Sequence, residues 1–190
     1  SVNTMVAARV GSDDVTFAIG RSNVVWIDGV AASLTSPVVN LAGGALEKLS
    51  ATSYRVIWNT GEELDITDDG SYLNATVSLP NSDAGKVQGL LGNDDGSAGN
   101  DLALPGGTVV ANGTITYAEL YGQYANSWRV TDGTSLMDYG AGQDTASWTN
   151  VNFPYNQIGL GNLPADAVQQ ALAAAIAAGI TDPNLQQAAI

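Results

Sequence analysis

Three segments in the first half of the chain alternate in character with a period of two. Val24, Trp26 and Asp28 alternate with Val25 and Ile27, and Tyr54, Val56 and Trp58 alternate with Arg55 and Ile57. The cleanest case sets Leu73, Ala75, Val77 and Leu79 against Tyr72, Asn74, Thr76 and Ser78. Successive strand side chains point to opposite faces, so each segment predicts a strand, and the third predicts one apolar and one polar face. Asp28-Gly29, Asn59-Thr60-Gly61, Asp69-Gly70 and Asn112-Gly113 punctuate these runs. Such pairs supply the positive φ that tight hairpins need. Residues 1–130 thus read as strands and turns with no helix between them. The fold class is mainly β: an antiparallel β-sandwich or rolled sheet.

The pattern changes at the end of the chain, which predicts a short C-terminal helical appendage over 161–190 on a β domain spanning 1–160. Val168, Leu172, Ile176 and Ile180 recur four apart and form one helical stripe. Asp166 lies near the start, where the helix dipole favours an acid, and Gly179 can end the helix. Asp182-Pro183 reads as N-cap and first-turn proline of a second short helix. The plain expectation is a helical pair packed on the sheet. The sharper one is a docking helix for a partner.

Composition narrows the function classes. With 45% hydrophobic and only 13% charged residues, the chain can bury a core and does not have the balance of a disordered one. Its net charge of -13 repels nucleic acid and anionic membrane and makes divalent cations the natural counter-charge. Cys and His are both absent, which removes disulfides, zinc–thiolate sites, His-based triads and cysteine nucleophiles. Any metal must be held by oxygen, which selects hard ions such as calcium or magnesium. No apolar stretch is long enough to span a membrane, and no signal peptide is evident. The lack of Cys suits the cytosol as well as a bacterial exterior.

One loop carries metal-binding chemistry. Gly92-Asn93-Asp94-Asp95-Gly96-Ser97-Ala98-Gly99-Asn100-Asp101 combines carboxylate and amide oxygens with glycines that permit a tight fold. Calcium needs about six to eight oxygens in one shell. Asn93 and Asp95, two apart, can aim at one point; Gly96 permits the bend; Asn100 and Asp101 can return to close the shell. From Glu62 to Asp101 acids outnumber bases nine to one, the base being Lys86, so a cation would relieve repulsion. The competing reading is a solvated turn, because Asn, Asp and Gly are also the common turn residues. The EF-hand spacing is absent.

Gly85-Lys86-Val87-Gln88-Gly89-Leu90-Leu91-Gly92-Asn93-Asp94-Asp95-Gly96, followed by Asn100-Asp101-Leu102, resembles the signature of the von Willebrand factor type D domain. Leu73–Pro80 and Ser127-Trp128-Arg129-Val130 fit the same pattern. With Ser135-Leu136-Met137-Asp138-Tyr139 and the Ala-rich end, they resemble a bacterial, cysteine-free branch over residues 4–140. The resemblance implies an extracellular, secreted or cell-surface β-sandwich with a structural Ca2+ site. The implied ligands are Asn93, Asp95, Asn100 and Asp101, with a carbonyl near Ser97 or Ala98, while Asp94 faces outward. Two departures matter. Leu91 stands where animal domains place a Cys, so disulfide-linked multimers are not expected. The family's opening Gly-Asp-Pro-His and Thr-Phe-Asp-Gly segments, which supply a further acidic ligand, are absent, as in a fragment or a chain that has lost its opening strands. Asp65, Asp68 and Asp69 are candidate substitutes, although Asp68-Asp69-Gly70 also reads as a plain hairpin turn. Bacterial relatives often carry a Cys pair, here corresponding to Ala175 and Ala189.

The expected function is therefore a calcium-binding structural or adhesion module of a larger extracellular protein. Its partners would be other domains of that protein or a surface or matrix component. The alternative is a carbohydrate- or protein-binding module using exposed aromatics, with Trp128 and Trp148 as candidates; alternation assigns Trp26 and Trp58 to the core. A hydrolase is the third reading. Glu62-Glu63 and Asp94-Asp95 are adjacent, and adjacent strand side chains diverge, so no enzyme is expected. Asn74-Ala75-Thr76 and Asn112-Gly113-Thr114 match the short, common glycosylation sequon.

Overall fold

The structure, a computed structural model, describes residues 3–110, 115–116, 118–149 and 165–180. Among the described residues, nine strands form two antiparallel sheets. The first contains β1 (Met5–Val10), β2 (Asp13–Ala18), β3 (Val25–Ile27) and β4 (Val30–Ala31), in that order. The second contains β5 (Val38–Leu41), β6 (Gly44–Lys48), β7 (Ser53–Trp58), β8 (Glu63–Asp68) and β9 (Leu73–Ser78), also in chain order. Each is a meander, because every connection is short enough to return the chain antiparallel beside its predecessor. Asp28 and Gly29 join β3 to β4 with φ of 50° and 76°, the doubly positive geometry of a tight hairpin.

The sheets face each other across one core. Ala8, Val10, Val15, Phe17 and Val25 from the first sheet pack with Leu46, Tyr54, Val56, Leu64, Ile66 and Leu73 from the second. The fold is thus a sandwich of two sheets. The hairpin turns meet where a side chain would not fit: a Cβ on Gly43 would lie 2.5 Å from the Gly11 nitrogen. Asp13 Oδ2 accepts from the Ala42 N–H at 2.8 Å at the same crossing, and Trp58 Nε1 donates to the Arg9 carbonyl at 2.8 Å. Segment 135–140 covers the first sheet. Thr16 Oγ1, buried, accepts from the Asp138 N–H at 2.9 Å, and Arg21 pairs with the Asp138 carboxylate at 3.1 Å while stacking on Trp26 at 3.7 Å.

Cross-strand charges support the second sheet. Arg55 and Asp65 are directly paired in register and joined by two bonds of 2.7 and 2.9 Å. The Arg55 guanidinium holds the Asp65 carboxyl below its ordinary range, as Arg9 does for Asp14 on β2. A lowered folded value means stability that is complete above the unfolded pKa and is lost as pH falls through the folded one. The melting temperature should therefore hold from neutrality to about pH 5 and fall below about pH 4. Both partners are about a third exposed, so Asp65→Asn should lower it at pH 7 by only roughly 1–4 °C. The variant should also show a shallower acid slope in thermal scans.

Several expectations are corrected. Strands were expected through residue 130, but none follows Ser78 among the described residues apart from an isolated bridge between Ala103 and Val109. Residues Ala118–Ala125 instead form a π-helical segment. The expected two-faced strand is present as β9, but of its apolar face only Leu73 is buried, and Val77 is 55% exposed. Register explains this: Val77 lies opposite Leu64 and Ala75 opposite Ile66, on the core side, yet β9 is an edge strand. Of β9 only Leu73 joins the shared core cluster, and its N–H donates to the carbonyl of Asn3, just before β1, at 2.7 Å.

A short helix, α1 (Thr145–Trp148), is closed at its N-terminus by an Asp144–Ser147 capping box. The C-terminal helix, α2 (Ala165–Ala177), ends as expected at Gly179, with φ of 84°. Bonds from Ile180 N–H to Ala175 and from Gly179 N–H to Ile176 complete a Schellman motif. Of the expected stripe, Val168, Leu172 and Ile180 are half-buried, but Ile176 is 55% exposed and the buried residue is Ala175. No helix among the described residues is long and apolar enough to cross a membrane. Asn112-Gly113, Asp182-Pro183 and Ala189 lie outside the described residues.

Candidate functional site

Beyond β9, Pro80 introduces a 3-10 turn over Asn81–Asp83, and the chain enters a loop without strands. The loop folds back on itself: the Gly85 N–H donates to the Asn93 carbonyl at 2.9 Å and the Gly92 N–H to the Gly89 carbonyl at 3.1 Å. Gly85, Gly92, Asp94 and Gly96 all have positive φ. Asp94 is a non-glycine exception, as Asp tolerates this region, and its side chain is exposed as expected.

All four expected ligand residues share one hydrogen-bonded cluster, and Asp95 is its hub. Asp95 Oδ2 accepts from Asn93 Nδ2 at 3.1 Å and from Asn100 Nδ2 at 2.7 Å. Asp95 Oδ1 accepts from the Ser97 N–H at 2.7 Å, and Asn93 Oδ1 accepts from the Asp95 N–H at 3.2 Å. Asp101 Oδ1 accepts from the Asn93 N–H at 3.3 Å. The Asn100 amide, then the Ser97 N–H, hold the Asp95 carboxyl below its ordinary range, so it is ionised near neutrality. The Ser97 carbonyl accepts from the Asn100 N–H at 3.4 Å.

Gly92 has a specific task here. A Cβ at this position would lie 2.4 Å from Asp101 Oδ1 and 2.7 Å from its Cγ, so only glycine lets that carboxylate lie against the loop.

The donor set suits a hard cation. Its side chains offer only oxygens as acceptors, and its two carboxylates match a divalent charge. Asn100 Oδ1 is buried without a hydrogen-bond partner, an acceptor that a cation would satisfy. No three carboxylates gather as a metal cage among the described residues, so the amide and main-chain oxygens would complete any shell. Of the substitutes considered from sequence, Asp65 and Asp68 have their carboxylates engaged elsewhere, and Asp69 lies beside the Gly70 turn. Asp65 pairs with Arg55; Asp68 Oδ1 caps the hairpin by accepting from the Gly70 N–H at 2.7 Å; the Asp69 N–H bonds to the Tyr72 carbonyl.

Sequence reasoning missed Tyr124 altogether and, for Trp128, missed its place beside this loop. Tyr124, 2% exposed, places its hydroxyl 3.1 Å from the Gly89 carbonyl, 3.0 Å from that of Leu90 and 3.3 Å from that of Asp101. Burial first, and the Asp101 charge second, raise the phenol's pKa, keeping it a donor. Trp128 Nε1 donates to the Ala103 carbonyl at 3.2 Å. The available signal was the spacing of Leu120, Tyr121, Tyr124 and Trp128 by ones, threes and fours, which is helical.

The family model for the von Willebrand factor type D domain matches residues 2–108, more than half of the chain. The chain belongs to that family. The match contains both sheets and the whole Gly85–Leu102 signature, whereas Ser127–Val130, Ser135–Tyr139 and α2 lie beyond it. Type D domains are modules of larger proteins, typically extracellular, that mediate interactions. This type D chain has no cysteine with which to form disulfide-linked multimers. Leu91 is 93% exposed. No curated protein matches the chain.

Proposed function

We propose that this type D domain is a calcium-stabilised structural or adhesion module of a secreted or cell-surface protein and that it acts without catalysis. The observation that carries the reading is the single hydrogen-bonded cluster of Asn93, Asp95, Asn100 and Asp101, in which the amide oxygen of Asn100 is buried and unpartnered. Asp95 and Asp101 would supply the charge, and the amide oxygens of Asn93 and Asn100 would supply neutral ligands. The ion would replace the amide-to-carboxylate bonds that now tie the cluster, locking the loop onto the end of β9. A chain without Cys or His offers neither a thiol nucleophile nor an imidazole base, which supports a non-catalytic role.

An ion that binds only the folded chain adds stability by mass action. Calcium at about 100 times its Kd should raise the melting temperature by roughly 5–10 °C over that in chelator. Asn93→Ala and Asp95→Ala should each remove the difference. Identical melting curves in calcium and chelator for the parent chain would refute the reading.

A second reading rests on a groove of about 620 Å³ lined by Leu90, Leu102, Leu120, Tyr121, Tyr124 and Trp128. Its apolar lining would suit a protein partner better than a sugar. Trp148, 43% exposed, is the most exposed aromatic among the described residues and the one a glycan would reach. A glycan array and partner binding measured with Trp128→Ala and Trp148→Ala separate these uses from the calcium reading.

A further inference from the structure

The loop that carries the four oxygen-bearing residues has little to hold it besides its own turns. It contains no strand, Leu90 and Leu91 are 53% and 93% exposed, and residues 94–99 are exposed throughout. What anchors it comes from a segment more than twenty residues further along the chain. Tyr124, nearly fully buried in the π-helical segment, projects its hydroxyl among the Gly89, Leu90 and Asp101 carbonyls. Gly89 and Leu90 precede the cluster, and Asp101 closes it. A phenol has one proton to donate, so three acceptors around it share one donor and are held at a common distance. Four residues on, Trp128 binds the next part of the returning chain through the Ala103 carbonyl at 3.2 Å. The start and the end of the loop are thereby tied to one point of the π-helical segment.

We propose that Tyr124 is a positioning residue for the cation loop: its hydroxyl fixes the main chain on both sides of the cluster, so that Asp101 and Asn93 are already close before an ion arrives. The inference rests on the calcium reading above. A hydrogen bond from Tyr124 to the Asp101 carbonyl restricts the backbone that carries the Asp101 carboxylate, and that carboxylate meets the Asn93 N–H at 3.3 Å. Ordering a loop before binding strengthens binding because less freedom remains to be lost. Coupling is reciprocal, so ion occupancy must in turn steady the segment that holds Tyr124.

The test is Tyr124→Phe, which keeps the ring in its buried place and removes only the hydroxyl. Calcium affinity by calorimetry should fall by roughly 3–30-fold, the range expected for one buried hydrogen bond that biases the competent loop. Terbium luminescence sensitised by the aromatic residues should show the same loss. A merely structural tyrosine would lower the melting temperature equally in calcium and in chelator and leave Kd unchanged, and an unchanged Kd overturns the proposal. If the variant does not fold, hydrogen exchange on the parent chain decides. Calcium should slow exchange of the amides in Ala118–Ala125, and no slowing overturns the proposal. A flat calorimetric titration of the parent chain overturns the calcium reading and this inference together, whereas parent binding with unaltered variant affinity overturns this inference alone.

Discussion

Phe17→Ala is expected to cost about 3–5 kcal/mol of folding stability, the largest loss anticipated for any single core substitution here. Phe17 is fully buried on β2 and faces Tyr54 of β7 across the sandwich, with ring centroids 5.7 Å apart and planes tilted by 48°. It therefore joins the two sheets, and truncating it removes both its burial and a tilted aromatic contact. The walls cannot collapse freely, because Val15, Val25, Leu46 and Val56 around the core are themselves fully buried and held in two hydrogen-bonded sheets. A typical domain has about 5–15 kcal/mol in total, so the variant should lie near its unfolding threshold. Chemical denaturation would measure this, with Val77→Ala as the control. Val77 is 55% exposed at the sheet edge and should change little. Loss of less than about 1.5 kcal/mol on Phe17→Ala would show that the sheets do not depend on this contact.

What the sequence discloses follows how local each cause is. Alternation at Tyr54 and Val56 discloses β7, because period two acts within one strand, and Asp28-Gly29 discloses its hairpin, because turn chemistry acts within two residues. The same alternation discloses which face of β9 is apolar but not that it lies at an edge, since strand order is a long-range property. The helical spacing of Leu120, Tyr121, Tyr124 and Trp128 covers little more than two turns and contains Gly122, a poor helix former, so it does not stand out from the run of strands and turns expected over 1–130. The site divides in the same way. Asn93, Asp95, Asn100 and Asp101 lie within nine positions, so their type and spacing suffice to nominate them, and the cluster unites them. Tyr124 acts on Leu90 across 34 positions, and nothing in either stretch alone points to the other. The fate of Asp65 was equally hidden: as an isolated acid it resembled a spare ligand, and only the β7–β8 register gives it to Arg55.

Gly92→Ala should abolish the calcium response while leaving the sandwich folded. Two effects act on the same methyl group. With φ of 94°, Gly92 occupies a conformation that L residues adopt only under strain, costing about 1–3 kcal/mol. The new Cβ would also meet Asp101 Oδ1 at 2.4 Å, Cγ at 2.7 Å and Cβ at 3.0 Å, so relaxing the side chain's far end alone does not clear the overlap. Asp101 must swing away, releasing the Asn93 N–H and withdrawing one of the cluster's two carboxylates. The sheets should survive because Gly92 lies after β9, outside every strand and outside the buried cluster. The expected result is a flat calcium titration by calorimetry, with a melting temperature in chelator only modestly below the parent's. Asp101→Ala distinguishes the two effects. It removes the carboxylate without straining Gly92, so it should match Gly92→Ala in the loss of calcium binding but exceed it in chelator stability. If Gly92→Ala bound calcium as the parent does, Asp101 would not belong to the shell and the loop's closure around Asp95 would need another ligand.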